Sequence, residues 1–267
     1  MLSYFLEKAE EDEVRLLIEH CVRLSDAHVA KLREGFQVPL GFSIEEDVDL
    51  GAPRLFSDVY VLNFIHQMAK IGLTIYAASL SAAVREDVTE FYLECLAETM
   101  ELYAVSKDLL LAKGLFVRSP YLPSLDKVEF VERQGFLWDV VGEKRPLVAL
   151  EVANLYANIL RNSLGAATLA GFCQVARDYD VKRFFVRGIE IAKKHIKLFG
   201  AKLEGSYLTV PMTLATEITT STSYTFSDKL MMFYTSSLIG LSVGYYGTSM
   251  AQSPRADLGL LYNRLSL

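Results

Sequence analysis

FSDVYVLNFIHQMAKIGLTIYAASLSAAVREDV, residues 56–88, recurs as FSDKLMMFYTSSLIGLSVGYYGTSMAQSPRADL, residues 226–258, at a constant offset of 170 and without a gap. Phe56-Ser57-Asp58 returns as Phe226-Ser227-Asp228, Tyr76 as Tyr246, Ser79 as Ser249, and Arg85-x-Asp87 as Arg255-x-Asp257. These identities are mostly polar or aromatic and gather at the two ends of the segment, unlike chance matches between leucine-rich helices. A repeat on this scale implies two copies of one domain, not a short-period solenoid. A chain of 267 residues has room for both.

Working outward, the second copy shows its helices most clearly. Leu150, Val152, Leu155, Ile159 and Leu160 recur at helical spacing and predict a first helix from about Val148 to Arg177. A second begins near Asp178-Tyr179-Asp180, whose carboxylates suit a positive helix N-terminus, and runs through Phe184, Phe185, Ile189, Ile191 and Ile196 to about Glu204. Gly205 to Thr225, with Pro211 and a Ser/Thr cluster, has no strong helical signal. Thr225-Phe226-Ser227-Asp228 reads as a T-x-x-D capping box that opens a third helix, ending near Ser253-Pro254, and a fourth starts at Arg255. In the first copy Asp87 is followed by a helix carrying Val88, Phe91, Tyr92, Cys95 and Leu96 on one side and reaching Lys113-Gly114. Further upstream Phe5 aligns with Phe172, Val14 with Val181 and His28 with His195, all at an offset of 167. Nothing before Met1 matches residues 148–170, and only ten residues follow Asp257. The expectation is a first bundle over 1–115, a connector over 116–146 and a second bundle over 147–267. Each copy lacks a helix or part of one, because the chain is an excerpt or because a partner supplies the packing.

Connection lengths set the topology. Short turns join helices one and two, and three and four, which makes those pairs antiparallel. About 20 residues join helices two and three; extended, they reach about 66 Å, whereas a 26-residue helix is about 39 Å long. That connection can run the length of the bundle and leave helices two and three parallel. The predicted fold class is all-α: two tandem ferritin-like four-helix bundles, each with one long crossover between helices two and three.

Composition excludes some functions. Net charge is −6 with a pI near 5.4, against the clustered Lys and Arg of a nucleic-acid footprint. Cys21, Cys95 and Cys173 are odd in number, far apart and without CxxC spacing, so they read as reduced thiols. Leu230 to Pro254 carries no charge, and Ser236, Gly240, Gly244 and Thr248 form a small-residue ridge, as in a membrane span. The first copy holds His66 and Lys70 in the same stretch, so the expectation is a buried helix with close helix–helix approach, not a membrane span. No secretory leader precedes Leu2-Ser3-Tyr4, and the expected location is cytoplasmic.

Several segments carry a family resemblance: Val38-Pro39-Leu40-Gly41-Phe42, Ala52-Pro53-Arg54-Leu55-Phe56-Ser57-Asp58, Lys113-Gly114, Phe226-Ser227-Asp228-Lys229-Leu230-Met231-Met232 and Ser253-Pro254-Arg255-Ala256-Asp257-Leu258. The chain resembles, over essentially its whole length, a family of unknown function from endospore-forming bacteria that carries tandem ferritin-like bundles and is similar to the spore coat protein F group. The resemblance implies the fold, a connection with the spore, and no established activity. One departure is the spacing from His28 to Pro39, 11 residues, against 16 from His195 to Pro211; the resemblance favours the longer spacing and puts the end of the first copy's second helix in question.

A ferritin-like bundle raises the prospect of a di-iron site, which needs Glu-x-x-His on two helices and a Glu on each of the others. None of His20, His28, His66 and His195 has a Glu three residues before it, so no metal or other cofactor is expected. Glu90, Glu94, Glu98 and Glu101 form a stripe beside the apolar face and read as solvated. His28 and His195 read as histidines at helix–helix contacts, with a ligand or proton-switch role as the alternative. Ser57-Asp58 and Ser227-Asp228 read as helix starts. Arg85-x-Asp87 and Arg255-x-Asp257 read as dipole-complementing turns, with anion or carboxylate binding as the alternative. Tyr76 and Tyr246 read as core or rim residues. No phosphate-binding loop, nucleophile elbow or dinucleotide fingerprint appears. The function these observations support is a non-catalytic structural or interaction protein that self-associates or binds protein partners, with a dry, apolar bundle centre. The alternative is a ferritin-like metal-binding or oxidase-like protein with an atypical ligand set.

Overall fold

A computed structural model describes residues 1–36, 41–122 and 145–266, and among these residues the chain forms nine helices and no strands. The first copy supplies α1 (Leu2–Lys8), α2 (Asp12–Phe36), the single turn α3 (Ile44–Asp47), α4 (Asp58–Ala82) and α5 (Glu86–Ala112). The second supplies α6 (Ala149–Val175), α7 (Tyr179–Glu204), α8 (Asp228–Ala251) and α9 (Ala256–Ser266). The helices gather as α1/α2/α4/α5 and α6/α7/α8/α9, the tandem ferritin-like arrangement predicted from the connection lengths. Pro39, Leu40 and most of the 116–146 connector lie outside the described residues. Because α2 continues to Phe36 and α7 to Glu204, the two helices run nearly equal distances past their histidines, and the shorter spacing in the first copy falls beyond the helix.

The chain divides into two compact units interleaved in sequence. Unit 1 comprises Met1–Phe116, Gly171–Lys182 and Thr216–Leu230; unit 2 comprises Val117–Ala170, Arg183–Ala215 and Met231–Leu267. In unit 1, Asp58 at the start of α4 accepts hydrogen bonds from the backbone N–H groups of Glu10 and Glu11, just ahead of α2. Toward the far ends of the same helices the rings of His28 and Tyr76 lie 6.2 Å apart. Both ends are in register, so α2 and α4 run parallel. The core of unit 1 is aromatic: Phe56 stacks on Tyr60 at 4.1 Å, Phe5 meets Phe64 edge-on at 5.4 Å, and Phe172 meets Phe226 at 5.9 Å. Gly171 permits this packing, since a Cβ there would sit 2.4 Å from the Phe56 ring. In unit 2 one apolar cluster of fully buried side chains joins Leu155, Ile159, Phe199, Leu203, Leu258 and Tyr262, one contribution or more from α6, α7 and α9.

Local chemistry sets the helix ends. Ser57 Oγ accepts from Tyr60 N at 3.1 Å, and Ser227 Oγ from Leu230 N at 3.0 Å, so each serine caps the helix that begins one residue later. Gly114 takes a positive φ of 67° just past α5, and Leu115 N donates back to Leu110 O at 2.9 Å, a left-handed C-terminal cap. Two expectations are corrected. Thr225 does not cap α8, because the backbone of Phe226 is held extended in an antiparallel bridge to Val48; the Thr225 hydroxyl donates to Ser223 O instead. The ridge of Ser236, Gly240, Gly244 and Thr248 is exposed, and a Cβ at either glycine would meet nothing within 4 Å, so it makes no close helix contact. The face that α8 buries carries Met231, Thr235, Tyr246 and Ser249 instead. No helix among the described residues is long and apolar enough to cross a membrane.

Candidate functional site

The Phe-Ser-Asp motifs lie together in unit 1, and the two copies exchange the same bonds. Val48 bridges Phe226, and Phe56 bridges Ile218. Ser227 N donates to Asp47 O at 2.9 Å and Ser57 N to Glu217 O at 3.1 Å; Asp49 N donates to Thr225 O and Thr219 N to Leu55 O, both at 2.9 Å. The hydroxyls repeat the pattern, Ser227 Oγ donating to Asp47 Oδ1 at 2.5 Å and Ser57 Oγ to Glu217. The Ser227 hydroxyl, helped by Ser43 N–H and Lys229, holds the Asp47 carboxyl below its usual range against the opposing effect of burial. Each motif aspartate then turns to a different turn. Asp58 accepts from Glu10 N at 3.0 Å and Glu11 N at 2.7 Å, and Asp228 from Arg177 N at 3.1 Å and Asp178 N at 2.9 Å. So the motif does three structural jobs with three residues: bridge, helix cap and turn clasp.

The copies of the Arg-x-Asp motif have opposite environments. In unit 2 Arg255 and Asp257 are buried, and Arg255 donates through Nε and Nη2 to Asp257 at 2.9 and 3.0 Å and through Nη1 to Arg145 O. Lys202 adds a 2.6 Å ion pair to Asp257. Glu151, wholly buried on α6, accepts from Arg145 at 2.7 and 2.9 Å and from the N–H groups of Val148 and Arg255, both at 3.0 Å. Burial pushes the Glu151 carboxyl up, but Arg145 and the two amides outweigh it and hold the group below its usual range. In unit 1 the same motif is solvated: Arg85 and Asp87 pair at 2.6 Å with side chains 70% and 54% exposed. The hydrogen bond from Arg85 lowers the Asp87 carboxyl and raises the guanidinium.

The equivalent histidines both sit at helix–helix contacts but bond differently. His28 Nε2 meets Glu98 Oε2 at 2.6 Å, so the α5 carboxylate stripe is not simply solvated; Glu94 likewise pairs with Lys31. His195 Nδ1 meets Tyr246 OH at 2.9 Å, and burial, with Lys194 nearby, lowers its pKa. Tyr246 belongs to a polar cluster inside unit 2. Asn162 Nδ2 donates to Tyr246 OH at 2.8 Å, Asn158 Nδ2 donates to Ser249 Oγ at 2.9 Å, and Arg161 donates to Asn158 Oδ1 at 3.1 Å while lying 3.6 Å over the Tyr245 ring. The centre of this bundle is therefore not the dry, apolar interior expected from sequence. Among the described residues one histidine and no carboxylate bonds within that cluster, and burial pushes the Tyr246 hydroxyl up to about 12.

Among the described residues no three His, Cys, Asp or Glu side chains are grouped to hold a metal ion. His66, which the motif reading passed over, is buried on α4, hydrogen-bonded through Nδ1 to Ser106 at 3.0 Å and stacked on Tyr103 at 5.1 Å. Burial, with Lys70 and Lys107, lowers its pKa to about 3 and keeps it neutral. Cys21 and Cys95 are buried free thiols raised to about 12 and about 11 by burial, which makes both poor nucleophiles. Asp47, Glu217, Glu151, Asn158 and Asn162 escaped the sequence reading. Extending the 170-residue offset upstream pairs Asp47 with Glu217 and Val48 with Ile218, a signal for the first two. At either repeat offset Glu151, Asn158 and Asn162 align with no residue of the sequence, so the repeat carries no signal for them.

Against known proteins, the family model described as Protein of unknown function (DUF3231) matches residues 1–128 and 135–267. No curated protein and no solved structure matches the chain.

Proposed function

We propose, from the premise that the chain belongs to the DUF3231 family, that it is a non-catalytic structural or interaction protein. The observation that carries this reading is that the buried candidate side chains are committed to packing, while Arg85 and Asp87 pair with each other at the surface. Asp58 and Asp228 clasp turns, Ser57 and Ser227 cap helices, Glu151 takes four hydrogen bonds, and Arg255 spends its donors on Asp257 and Arg145 O. A catalytic acid, base or nucleophile needs a donor or acceptor left over for substrate. Protein partners or self-association are part of the proposal, as is a cytoplasmic site of action linked to the spore through the resemblance to the spore coat protein F group.

Elemental analysis of protein purified without chelator, followed by an Fe(II)/O₂ absorbance assay, tests the reading. Metal-free protein without turnover is the expected result. Near-stoichiometric iron or manganese with oxidation would refute it in favour of an oxidase with an atypical ligand set.

A further inference from the structure

Two helix faces carry opposite charge at matched spacing. Along α7, Arg183, Arg187, Glu190, Lys193, Lys194 and Lys197 are all exposed, five cations and one carboxylate on a chain whose net charge is −6. Arg187 pairs with Glu190, whereas Lys193, Lys194 and Lys197 make no ion pair among the described residues. The repeat shows that the fold does not require these charges. At the 167-residue offset the same positions of α2 hold Leu16, His20, Arg23, Asp26, Ala27 and Ala30, one arginine against one aspartate. All but His20 are exposed, although α5 lies along α2 through His28–Glu98 and Lys31–Glu94, so this face points outward even with that helix in place. Along α5 the outward residues are acidic: Glu90, Leu93, Glu94, Ala97 and Glu101 are exposed, Leu93 by 51%. The counterparts of Glu90, Leu93 and Glu94 in α9, Leu260, Asn263 and Arg264, stay exposed although α6 packs on that helix.

We infer that the α7 face of one molecule binds the α5 face of a second copy of this chain, with the two helices side by side and parallel. A single register, an offset of 93 residues, sets Arg183, Arg187 and Lys194 against Glu90, Glu94 and Glu101. The same register sets Val186, 46% exposed, against Leu93, and Glu190 against Ala97, so the one carboxylate of the basic stripe meets no like charge. These matched intervals favour a second copy over an anionic lipid surface, which has no register. Exposed ion pairs are individually weak but steer partners and fix their register, so the contact is salt-sensitive and forms at high protein concentration. Because two different faces meet, the contact is heterologous, and each molecule keeps a face of the other kind for a further copy. The inference rests on the self-association part of the proposed function, yet the two fail separately. Metal-dependent oxidation refutes that function whatever the oligomeric state, and a monomeric chain refutes this contact while leaving other protein partners to the function.

The test is sedimentation velocity of the full chain between about 0.01 M and about 1 M salt, a range over which the screening length falls from about 30 Å to about 3 Å. Species larger than the monomer are expected at low salt and the monomer alone at high salt. Arg183→Glu with Lys194→Glu, and separately Glu90→Lys with Glu101→Lys, each weaken association roughly tenfold or more. Mixing the two variants restores it, because each then presents the charge that the other lacks. All four substitutions are at exposed positions, and circular dichroism matching the unsubstituted protein verifies folding. The single exchanges Lys194→Glu and Glu101→Lys serve where a double variant fails that check. The inference is overturned by a monomer at every salt concentration, by association indifferent to either double variant, or by mixing that restores nothing. It is equally overturned by a monomer that binds phosphatidylglycerol vesicles and loses that binding with Arg183→Glu and Lys194→Glu.

Discussion

Replacing Asp58 or Asp228 with alanine removes the same two backbone hydrogen bonds from equivalent turns, yet the two losses should differ several-fold in energy. The Asp58 carboxylate is 5% exposed and also accepts from Arg54 Nη2 at 2.5 Å, with the Arg54 side chain 20% exposed. Breaking a buried, hydrogen-bonded ion pair costs about 3–5 kcal/mol, but Arg54 retains Glu10 and the Glu10 and Glu11 amides can reach water. About 3 kcal/mol is the result for Asp58→Ala. Among the described residues Asp228 has no arginine partner: the residue at the Arg54 position is Tyr224, whose hydroxyl accepts from Asp228 N, and Arg177 lies 3.7 Å over the Tyr224 ring. Its two acceptor bonds serve the exposed turn at Arg177 and Asp178, so Asp228→Ala resembles loss of an ordinary N-cap, about 1 kcal/mol. Both residues belong to unit 1, so urea unfolding followed by circular dichroism reads both from one transition. Equal losses, or a larger one at Asp228, would refute the weight given to burial and to Arg54.

Three further outcomes follow from the same geometry. His66 is held neutral in the fold by a pKa lowered to about 3, while the unfolded chain takes up its proton near 6.5. Its contribution is therefore whole above that pH and shrinks as pH falls toward 3, by up to about 1.4 kcal/mol per pH unit, and His66→Gln should flatten the urea midpoint between pH 6 and 4.5. Glu151→Gln keeps the shape but removes the buried carboxylate to which Arg145 donates twice, costing about 3 kcal/mol in chemical denaturation; a loss under 1 kcal/mol would contradict the burial argument. Gly171→Ala should cost about 1–3 kcal/mol because Phe56, stacked on Tyr60, has no room to retreat, whereas Gly165→Ala, with nothing within 4 Å, should be neutral or stabilising; calorimetry separates the two.

Much of the architecture was legible because it rests on local rules: apolar spacing gave the helices, and connection length gave the parallel pair. What was illegible depended on contacts made across long separations. Gly171 carries no sequence signal that a phenylalanine 115 positions earlier will lie on it. Absence of charge and a ridge of small residues point to a buried helix in the α8 stretch, but neither says which face a neighbouring helix covers. The small residues at Ser236, Gly240 and Gly244 turned out to face solvent. Asn158 and Asn162 lie on a helix read through its apolar spacing, which does not say that its polar residues meet inside the bundle; their partners Ser249 and Tyr246 were visible only as repeat identities.

The pattern of identities itself has a physical cause. In an isologous contact residue i of one copy meets residue j of the other, and j meets i. The segments around residues 47–58 and 217–228 obey that rule bond for bond, so any change in one copy's serine or bridge phenylalanine would need an answering change in the other copy's acidic residue or bridge partner. Both members of each exchange are thereby fixed in chemical type: Ser57 and Ser227 are identical, and Asp47 and Glu217 keep the carboxylate. The turn clasps are under a weaker constraint, because each is made within one copy. There the copies have diverged as a local pair can, with Arg54 and Glu10 in the first answered by Tyr224 and Arg177 in the second. An ion pair has become a cation–π contact while the aspartate between them is unchanged. The three-residue motif persists in both copies because it is where the exchanged and the local contacts meet.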